Sequence, residues 1–190
     1  MVEPWPQVSC ETLAQFKIFK VDKIRRHSPR TGKNLDFFVL DTWNWVNVVA
    51  LTEDGQLLCI RQYRQGADRV TLEIPGGAVE PGEDMLAAGI RELREETGYA
   101  AGEARILGSC NPNPAIFTNQ CGTVLATGCH HVGDPEPDPG EDFDVLMLPI
   151  EDFRKAIRDN QVDHALVLAA LLWAEMDPEV GPLFRSVASS

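Results

Sequence analysis

The segment 77–99 constrains the fold and the chemistry of this chain more than any other part of the sequence. It reads GAVEPGEDMLAAGIRELREETGY, and its apolar residues recur at helical spacing. That spacing predicts an amphipathic helix over about 84–97, in which Asp84 is a suitable N-terminal cap and Gly98 follows where a helix would end. The segment is therefore predicted to form a loop, a helix and a second loop. The apolar face of the helix comprises Leu86, Ile90 and Leu93.

The polar side of this predicted helix carries a cluster of carboxylates. Glu92, Glu95 and Glu96 stand at positions i, i+3 and i+4, where like charges destabilise a helix by roughly 0.2–0.5 kcal/mol per pair. Any one of these glutamates could simply face solvent, but three of them after a Gly-Gly turn suggest a compensating ligand. Clustered carboxylate oxygens favour a hard divalent cation such as Mg²⁺ or Mn²⁺.

The rest of the chain predicts strands around this helix and two further helices near the C-terminal end. We see no internal repeat and no interdomain linker, so the pattern indicates an α+β protein or a mixed α/β/α sandwich. The strand candidates are 16–25, 36–42, 46–52, 57–63, 70–74, 104–110, 121–127 and 143–150, and the later helices are expected over 151–159 and 163–176.

The composition excludes several classes of function. The 17 Lys and Arg against 29 Asp and Glu give a formal charge of −12 in 190 residues, which disfavours nonspecific binding to nucleic acid or to an anionic membrane. No apolar run reaches the roughly 18 residues of a membrane span. The N-terminal residues lack a secretory signal pattern, and five cysteines without a CxxC pair indicate reduced thiols. We therefore expect a cytoplasmic protein.

The segment 77–99 resembles the signature of the Nudix hydrolases at every specified position. That signature consists of Gly, five residues, Glu, seven residues, Arg-Glu-apolar, one residue, Glu-Glu, one residue, Gly, and an apolar or aromatic residue. The order of elements over about 37–176 is also similar to the Nudix fold, a mixed sheet between helices. The resemblance implies an N-terminal strand region at 1–42 that serves dimerisation, a Nudix hydrolase domain at 43–178 and a tail at 179–190.

The resemblance also implies roles for the residues of the signature. Glu92, Glu95 and Glu96, with the Gly76 carbonyl, match the ligands of divalent metal ions, expected here to be Mg²⁺ with Mn²⁺ possible. The pair formed by Arg91 and Glu83 matches a salt bridge that positions the catalytic helix. The implied reaction is hydrolysis of a pyrophosphate bond, in which metal ions neutralise phosphate oxygens and lower the pKa of a bound water.

Features outside this segment resemble the ADP-ribose pyrophosphatases and related nucleoside diphosphate sugar hydrolases. They are the runs Arg61–Arg64 and Leu72–Gly77, Pro114 sixteen residues after Gly98, and the acidic segment Gly140–Asp144. The resemblance implies that Glu141 in that segment reaches the metals. A subgroup glutamate that serves as the base is replaced here by Pro139, so the general base stays open among three residues, Glu141, Glu95 and Glu136.

Several residues are candidates for contacts with the substrate. Arginine suits phosphate and ribose oxygens, and two tryptophans at i and i+2 on a strand would share a face and could stack on a base. Surface or core packing is the alternative reading for these side chains. The resemblance further implies a homodimer. Other possible functions are a nucleoside triphosphate pyrophosphohydrolase and a noncatalytic nucleotide-sensing module. The candidate substrate residues are Arg61, Arg64, Arg69, Glu73, Pro114, Trp43 and Trp45.

Overall fold

The computed structural model describes residues 1–137 and 140–185, which divide into two units. The N-terminal unit comprises Met1–Trp43 together with Asn111–Gln120, and the main unit comprises Asn44–Cys110 and the chain from Cys121 onward. The predicted division into 1–42, 43–178 and 179–190 stays a prediction. In the structure, residues 111–120 pack with the N-terminal residues. No helix in the described ranges is long and apolar enough to cross a membrane.

The N-terminal unit is a three-stranded antiparallel sheet in the order β1-β2-β3. Its strands are β1 (Gln7–Gln15), β2 (Phe19–His27) and β3 (Asn34–Thr42). Strand β1 lies outside the predicted strands, and its residues are almost all exposed, so its pattern carries no buried face. The later segment of this unit follows β3: the Leu40 N–H donates to Ile116 O (2.7 Å) and the Thr118 N–H donates to Leu40 O (3.1 Å).

The main unit is built around a mixed sheet, which confirms the α+β prediction. Its described strands form an eight-stranded sheet with the path β11-β5-β4-β10-β8, to which β6, β7 and β9 add by pairing with β5, β4 and β10. Strands β4 and β10 are parallel, and the other pairs are antiparallel. The strands are β4 (Trp45–Thr52), β5 (Leu57–Arg64), β6 (Arg69–Glu73), β7 (Gly76–Ala78), β8 (Tyr99–Ala100), β9 (Glu103–Cys110), β10 (Cys121–His131) and β11 (Phe143–Leu148); the helices are α1 (Met85–Thr97), α2 (Ile150–Arg158), α3 (Ala165–Met176) and α4 (Gly181–Arg185).

Strand β4 shows why helices cover both faces of this sheet. Its side chains alternate between two buried clusters, as the two-residue period of a strand requires. Val46 and Val48 pack in the cluster that includes Leu93 of α1, whereas Val49 packs in the cluster that includes Phe153 of α2. A strand buried on both faces explains the continuous apolar run of β4.

Helix α1 begins and ends where its sequence predicts. The Asp84 carboxylate accepts hydrogen bonds from the N–H groups of Leu86 (2.9 Å) and Ala87 (3.2 Å). Gly98 ends the helix in the left-handed region with φ 72°, and its N–H donates to Arg94 O. The cap and the terminating glycine therefore fix the limits of the helix that carries the acidic cluster.

The carboxylate of Asp177, the residue after α3, is expected to make the stability of the protein depend on pH. This carboxylate is bound by Arg105 (2.7 Å) and by backbone N–H groups of Glu179 and Val180. Arg105 is the main reason that the pKa of Asp177 falls from 3.8 to about 2. Because the pKa is lower in the folded state, this stabilisation is present above about pH 4 and is lost as pH falls toward about 2.

The Asp177→Asn variant should therefore have a lower Tm than the wild type near pH 6, and the difference should shrink as pH approaches 2. Thermal unfolding followed by circular dichroism at a series of pH values measures this difference. Asp159→Asn is the matched control, because Asp159 pairs with the exposed Lys155 in an i, i+4 contact of the kind that contributes little to stability. A Tm difference that does not change with pH would contradict the assignment to this ion pair.

Candidate active site

Two glutamates of α1 lie against the Gly-Gly strand β7. The Gly76 N–H donates to Glu96 Oε2 (2.7 Å), and the Glu96 residue is only 4% exposed. A Cβ at Gly77 would lie 2.4 Å from Glu92 Oε1, so the backbone of β7 runs directly beside that carboxylate. A Cβ at Gly76 would lie 2.2 Å from the backbone oxygen of Val46. The two glycines thus allow strand β7 to fit between β4 and the acidic edge of α1.

Arg91 joins the acidic edge of α1 to the loop before the helix. Its Nε and Nη2 donate to the two oxygens of Glu83 (3.0 Å each), and Nη2 also donates to Ala78 O (3.0 Å). Its Nη1 donates to Glu92 Oε1 and to Glu95 Oε2 (2.9 Å each). The predicted contact between Arg91 and Glu83 is therefore present, and one guanidinium shares its charge among three carboxylates.

Burial and mutual repulsion both raise the pKa values of carboxylates in this site. Burial raises the pKa of Glu96 to about 8, and the negative charges of Glu92 and Glu141 add to this rise although the Gly76 N–H opposes it. Burial also raises the pKa of Glu92, with a further contribution from Glu141. The structure thus brings Glu141, from the acidic segment before β11, close to two glutamates of the predicted cluster.

The donor set suits a hard divalent cation. In residues 1–137 and 140–185, no three His, Cys, Asp or Glu side chains are arranged as a complete cation site. Glu92 and Glu95 bond to Arg91, and Glu96 accepts from the Gly76 N–H. The set nevertheless consists of oxygen donors with excess negative charge, and a cation would stabilise the ionised form of Glu96. Glu92, Glu95, Glu96 and Glu141 could hold it. The role predicted for the Gly76 carbonyl stays a prediction, since the contact shown here is through its N–H.

The two arginines of the RQYR run have different surroundings. Arg64 donates from Nε and Nη2 to the two oxygens of Glu73 (2.8 and 2.7 Å), so two predicted substrate residues contact each other. The charges of Glu96 and Glu141 help to raise the pKa of Arg64, after the main contribution from Glu73. Arg61 is exposed. Arg69 pairs with Asp163 just before α3.

The candidates for the general base are also placed differently. Glu95 bonds to Arg91, and Glu141 lies near Glu92 and Glu96. Glu136 pairs instead with Arg94 (3.2 Å), and its N–H donates to Glu95 O (2.7 Å). Pro139, which replaces the base of the compared subgroup, lies outside the described residues.

The remaining predicted residues divide between the two units. Pro114 and Trp43 belong to the N-terminal unit, and Trp45 belongs to the main unit. The prediction that both tryptophans share one face of a strand is wrong, because β3 ends at Thr42 and β4 begins at Trp45. Trp43 therefore lies in the connection between strands, where its carbonyl accepts a hydrogen bond from the Asn119 side chain (2.9 Å).

Two side chains near the site were not predicted from the sequence. His164 Nδ1 lies 3.1 Å from Glu73 Oε2, although the two residues are 91 positions apart. No local pattern in the sequence indicates that contact. Asn47 is buried on β4, next to Gly76 in the pairing of β4 with β7. Its polar character within the apolar run VNVVAL is a signal that could have identified it.

The NUDIX domain profile matches residues 43–171. Because the match covers more than half of the chain, this protein belongs to the NUDIX domain family, and it is a Nudix hydrolase. Members of the family generally need a divalent metal ion, which agrees with the donor set of the site. The predicted family is thereby confirmed.

Known proteins extend the similarity beyond the domain profile. The chain is 28% identical over 132 residues to the ADP-ribose pyrophosphatase of Bacillus subtilis (strain 168), covering 69% of this chain and 71% of that protein. It is 28% identical over 167 residues to the ADP-ribose pyrophosphatase of Mycobacterium tuberculosis, covering 87% and 80%. A crystal structure of an ADP compounds hydrolase superposes with a TM-score of 0.80 at 23% identity, covering 91% of this chain and 93% of that one, and supports the fold.

Proposed function

We propose that this Nudix hydrolase cleaves the pyrophosphate bond of ADP-ribose or a related nucleoside diphosphate sugar. The products are a nucleoside monophosphate and a sugar phosphate. The observation that carries the proposal is the cluster of carboxylates on α1, in which Glu96 accepts from the Gly76 N–H and Glu92 and Glu95 share Arg91. The charge of Glu141 acts on this cluster as well. Similarity to two ADP-ribose pyrophosphatases supports this class of substrate.

In this proposal, some residues of the site bind a metal ion and others bind the substrate. The metal ligands are Glu92, Glu95, Glu96 and Glu141, with the Gly76 carbonyl, and we propose Mg²⁺ as the ion with Mn²⁺ as a substitute. When bound, such an ion neutralises phosphate oxygens and lowers the pKa of a coordinated water. Arg91 and Glu83 hold α1 in place. Arg64 donates to the phosphate, and Glu141 or Glu95 accepts a proton from the attacking water.

Assays of the purified protein with Mg²⁺ on a panel of nucleoside diphosphate sugars and nucleoside triphosphates test the proposal. We expect the highest kcat/KM on a diphosphate sugar, release of the nucleoside monophosphate, and loss of turnover with a chelator. No release of monophosphate from any diphosphate sugar would contradict the proposal. A higher kcat/KM on triphosphates would indicate a triphosphate pyrophosphohydrolase, and tight binding without turnover would indicate a sensing module.

We further propose that the protein is a cytoplasmic homodimer that associates through the N-terminal unit. The sheet of that unit carries exposed apolar side chains, including Val8, Leu13, Phe37 and Phe38, which a second copy could cover. The free cysteines in the described chain suit a reducing compartment. Sedimentation equilibrium should give about twice the chain mass of 21.0 kDa, and a monomer at micromolar concentration would contradict the dimer.

Four further residues are proposed to contact the nucleoside or the sugar of the substrate. We assign Arg61, Pro114, Trp43 and Trp45 to the binding of the nucleoside or the sugar, because their residue types suit stacking and hydrogen bonding with such groups. Alanine variants of the two tryptophans, assayed separately, would show a raised KM for each residue that contacts the substrate.

A further inference from the structure

Glu73 is a buried carboxylate held by three side chains. It is 2% exposed, and it accepts hydrogen bonds from Arg64 (2.8 and 2.7 Å), Thr71 (2.6 Å) and His164 (3.1 Å). Burial alone would raise the pKa of Glu73, but these hydrogen bonds outweigh it and hold the pKa well below its ordinary value. Glu73 is therefore ionised at neutral pH.

The charge of Glu73 fixes the direction of its contact with His164. An ionised carboxylate only accepts hydrogen bonds, so the proton in this contact must lie on Nδ1 of His164. His164 is the residue immediately before α3, and its backbone carbonyl accepts from the N–H of Val167. The residue whose imidazole contacts Glu73 is thus also the residue from which α3 begins.

Glu73 in turn fixes the orientation of Arg64. The two parallel hydrogen bonds from Nε and Nη2 set the plane of the guanidinium, as single contacts from a lysine could not. This pairing leaves Nη1 and the second hydrogen of Nη2 for other partners. The charge of Arg64 lies close enough to interact with both Glu96 and Glu141. A ligand bound near those two glutamates could therefore accept from the donors that Glu73 does not use.

We propose that His164 is a positioning residue for the hydrolysis reaction. By donating to Glu73 it keeps that carboxylate in the orientation that grips Arg64, and Arg64 is then held ready to donate to a diphosphate bound beside Glu96 and Glu141. This inference rests on the proposed function and deepens it, since it adds a residue of α3 to the determinants of phosphate binding.

The variants His164→Ala and His164→Asn provide the first test. In steady-state assays with Mg²⁺, His164→Ala should lower kcat/KM by about tenfold, mainly through a higher KM, because Arg64 loses its fixed orientation. His164→Asn should recover kcat/KM to within about threefold of the wild type, because the asparagine Nδ2 can donate from nearly the position of Nδ1. An unchanged KM in His164→Ala, or no recovery in His164→Asn, would overturn the inference.

Ala165→Gly is the matched control for a purely structural effect. Ala165 is exposed and is the first residue of α3, so glycine loosens the same helix start without removing a contact to Glu73. Its Tm should fall while its KM stays within about twofold of the wild type. A rise in KM as large as that of His164→Ala would show that the helix start, and not the imidazole, sets the binding of substrate.

A double-mutant cycle with Arg64→Lys tests whether His164 acts through Arg64. Lysine cannot make the paired contacts with Glu73, so adding His164→Ala to Arg64→Lys should lower kcat/KM by less than about twofold further. Full multiplication of the two single effects would overturn the inference. If the wild type hydrolyses no compound of the panel, the proposed function fails as well. If the wild type is active and only these variants behave otherwise, the inference alone fails.

Discussion

Replacing Glu96 with glutamine is expected to lower kcat at least about a hundredfold, which corresponds to about 2.7 kcal/mol of transition-state stabilisation. The amide oxygen of glutamine can still accept the hydrogen bond from the Gly76 N–H, so the local structure is kept. The negative charge that would hold a divalent cation is lost. Steady-state kinetics at saturating substrate and Mg²⁺ measure the effect.

Two further measurements make the Glu96→Gln result specific. The Tm without added metal should not fall, because a pKa of about 8 leaves Glu96 mostly protonated at neutral pH, and glutamine is a neutral side chain of the same shape. Glu103→Gln, at the exposed start of β9, should keep kcat within about twofold of the wild type. A kcat for Glu96→Gln within threefold of the wild type would remove Glu96 from the proposed metal ligands, and a large fall in its Tm would attribute lost activity to unfolding.

Gly98→Ala is expected to destabilise the protein by about 3 kcal/mol or more, for two separate reasons. Gly98 has φ 72°, a left-handed conformation that costs an alanine roughly 1–2 kcal/mol. A Cβ there would also lie 1.9 Å from the backbone oxygen of Gly133, which cannot move aside cheaply. Urea unfolding monitored by tryptophan fluorescence measures the free energy of unfolding.

Gly128→Ala separates these two reasons. Gly128 has a similar φ of 62°, but a Cβ built there would meet the Cα of Gly102 at 3.7 Å, which is an ordinary van der Waals contact. Its substitution should therefore cost only the conformational part, about 1–2 kcal/mol. If the two variants have equal free energies of unfolding, the close approach of Gly133 does not contribute to the cost.

Local patterns in the sequence predicted the parts of the fold that local interactions determine. The limits of α1 followed from the Asp84 cap and the glycine after Thr97, because both act within a few residues. The contact between Arg91 and Glu83 followed from the family resemblance, and the structure places it as expected. Strand β1 was not predicted, and its residues are almost all exposed in the structure, so it has no buried apolar face of the kind that usually identifies a strand.

Contacts between distant parts of the chain could not be predicted in the same way. Arg64 and Glu73 meet because β5 pairs with β6, and His164, which is 91 positions after Glu73, joins them from the residue before α3. The register of the strands and the position of α3 determine this network. Neither can be predicted from the positions of Arg64, Glu73 and His164 in the sequence. The orientation of Glu92 and Glu95 toward Arg91 likewise depends on side-chain geometry.

The segment 111–120 has a practical consequence for anyone who shortens this chain. It connects β9 to β10, yet it makes hydrogen bonds to Leu40, Asp41 and Trp43. A truncated protein that starts at residue 44 would retain this loop and delete its partners, exposing the carbonyl of Ile116 and the N–H of Thr118. Removing the amino-terminal strands would therefore leave polar backbone groups of this loop without their partners. A minimal catalytic fragment would need a redesigned connection between residues 110 and 121.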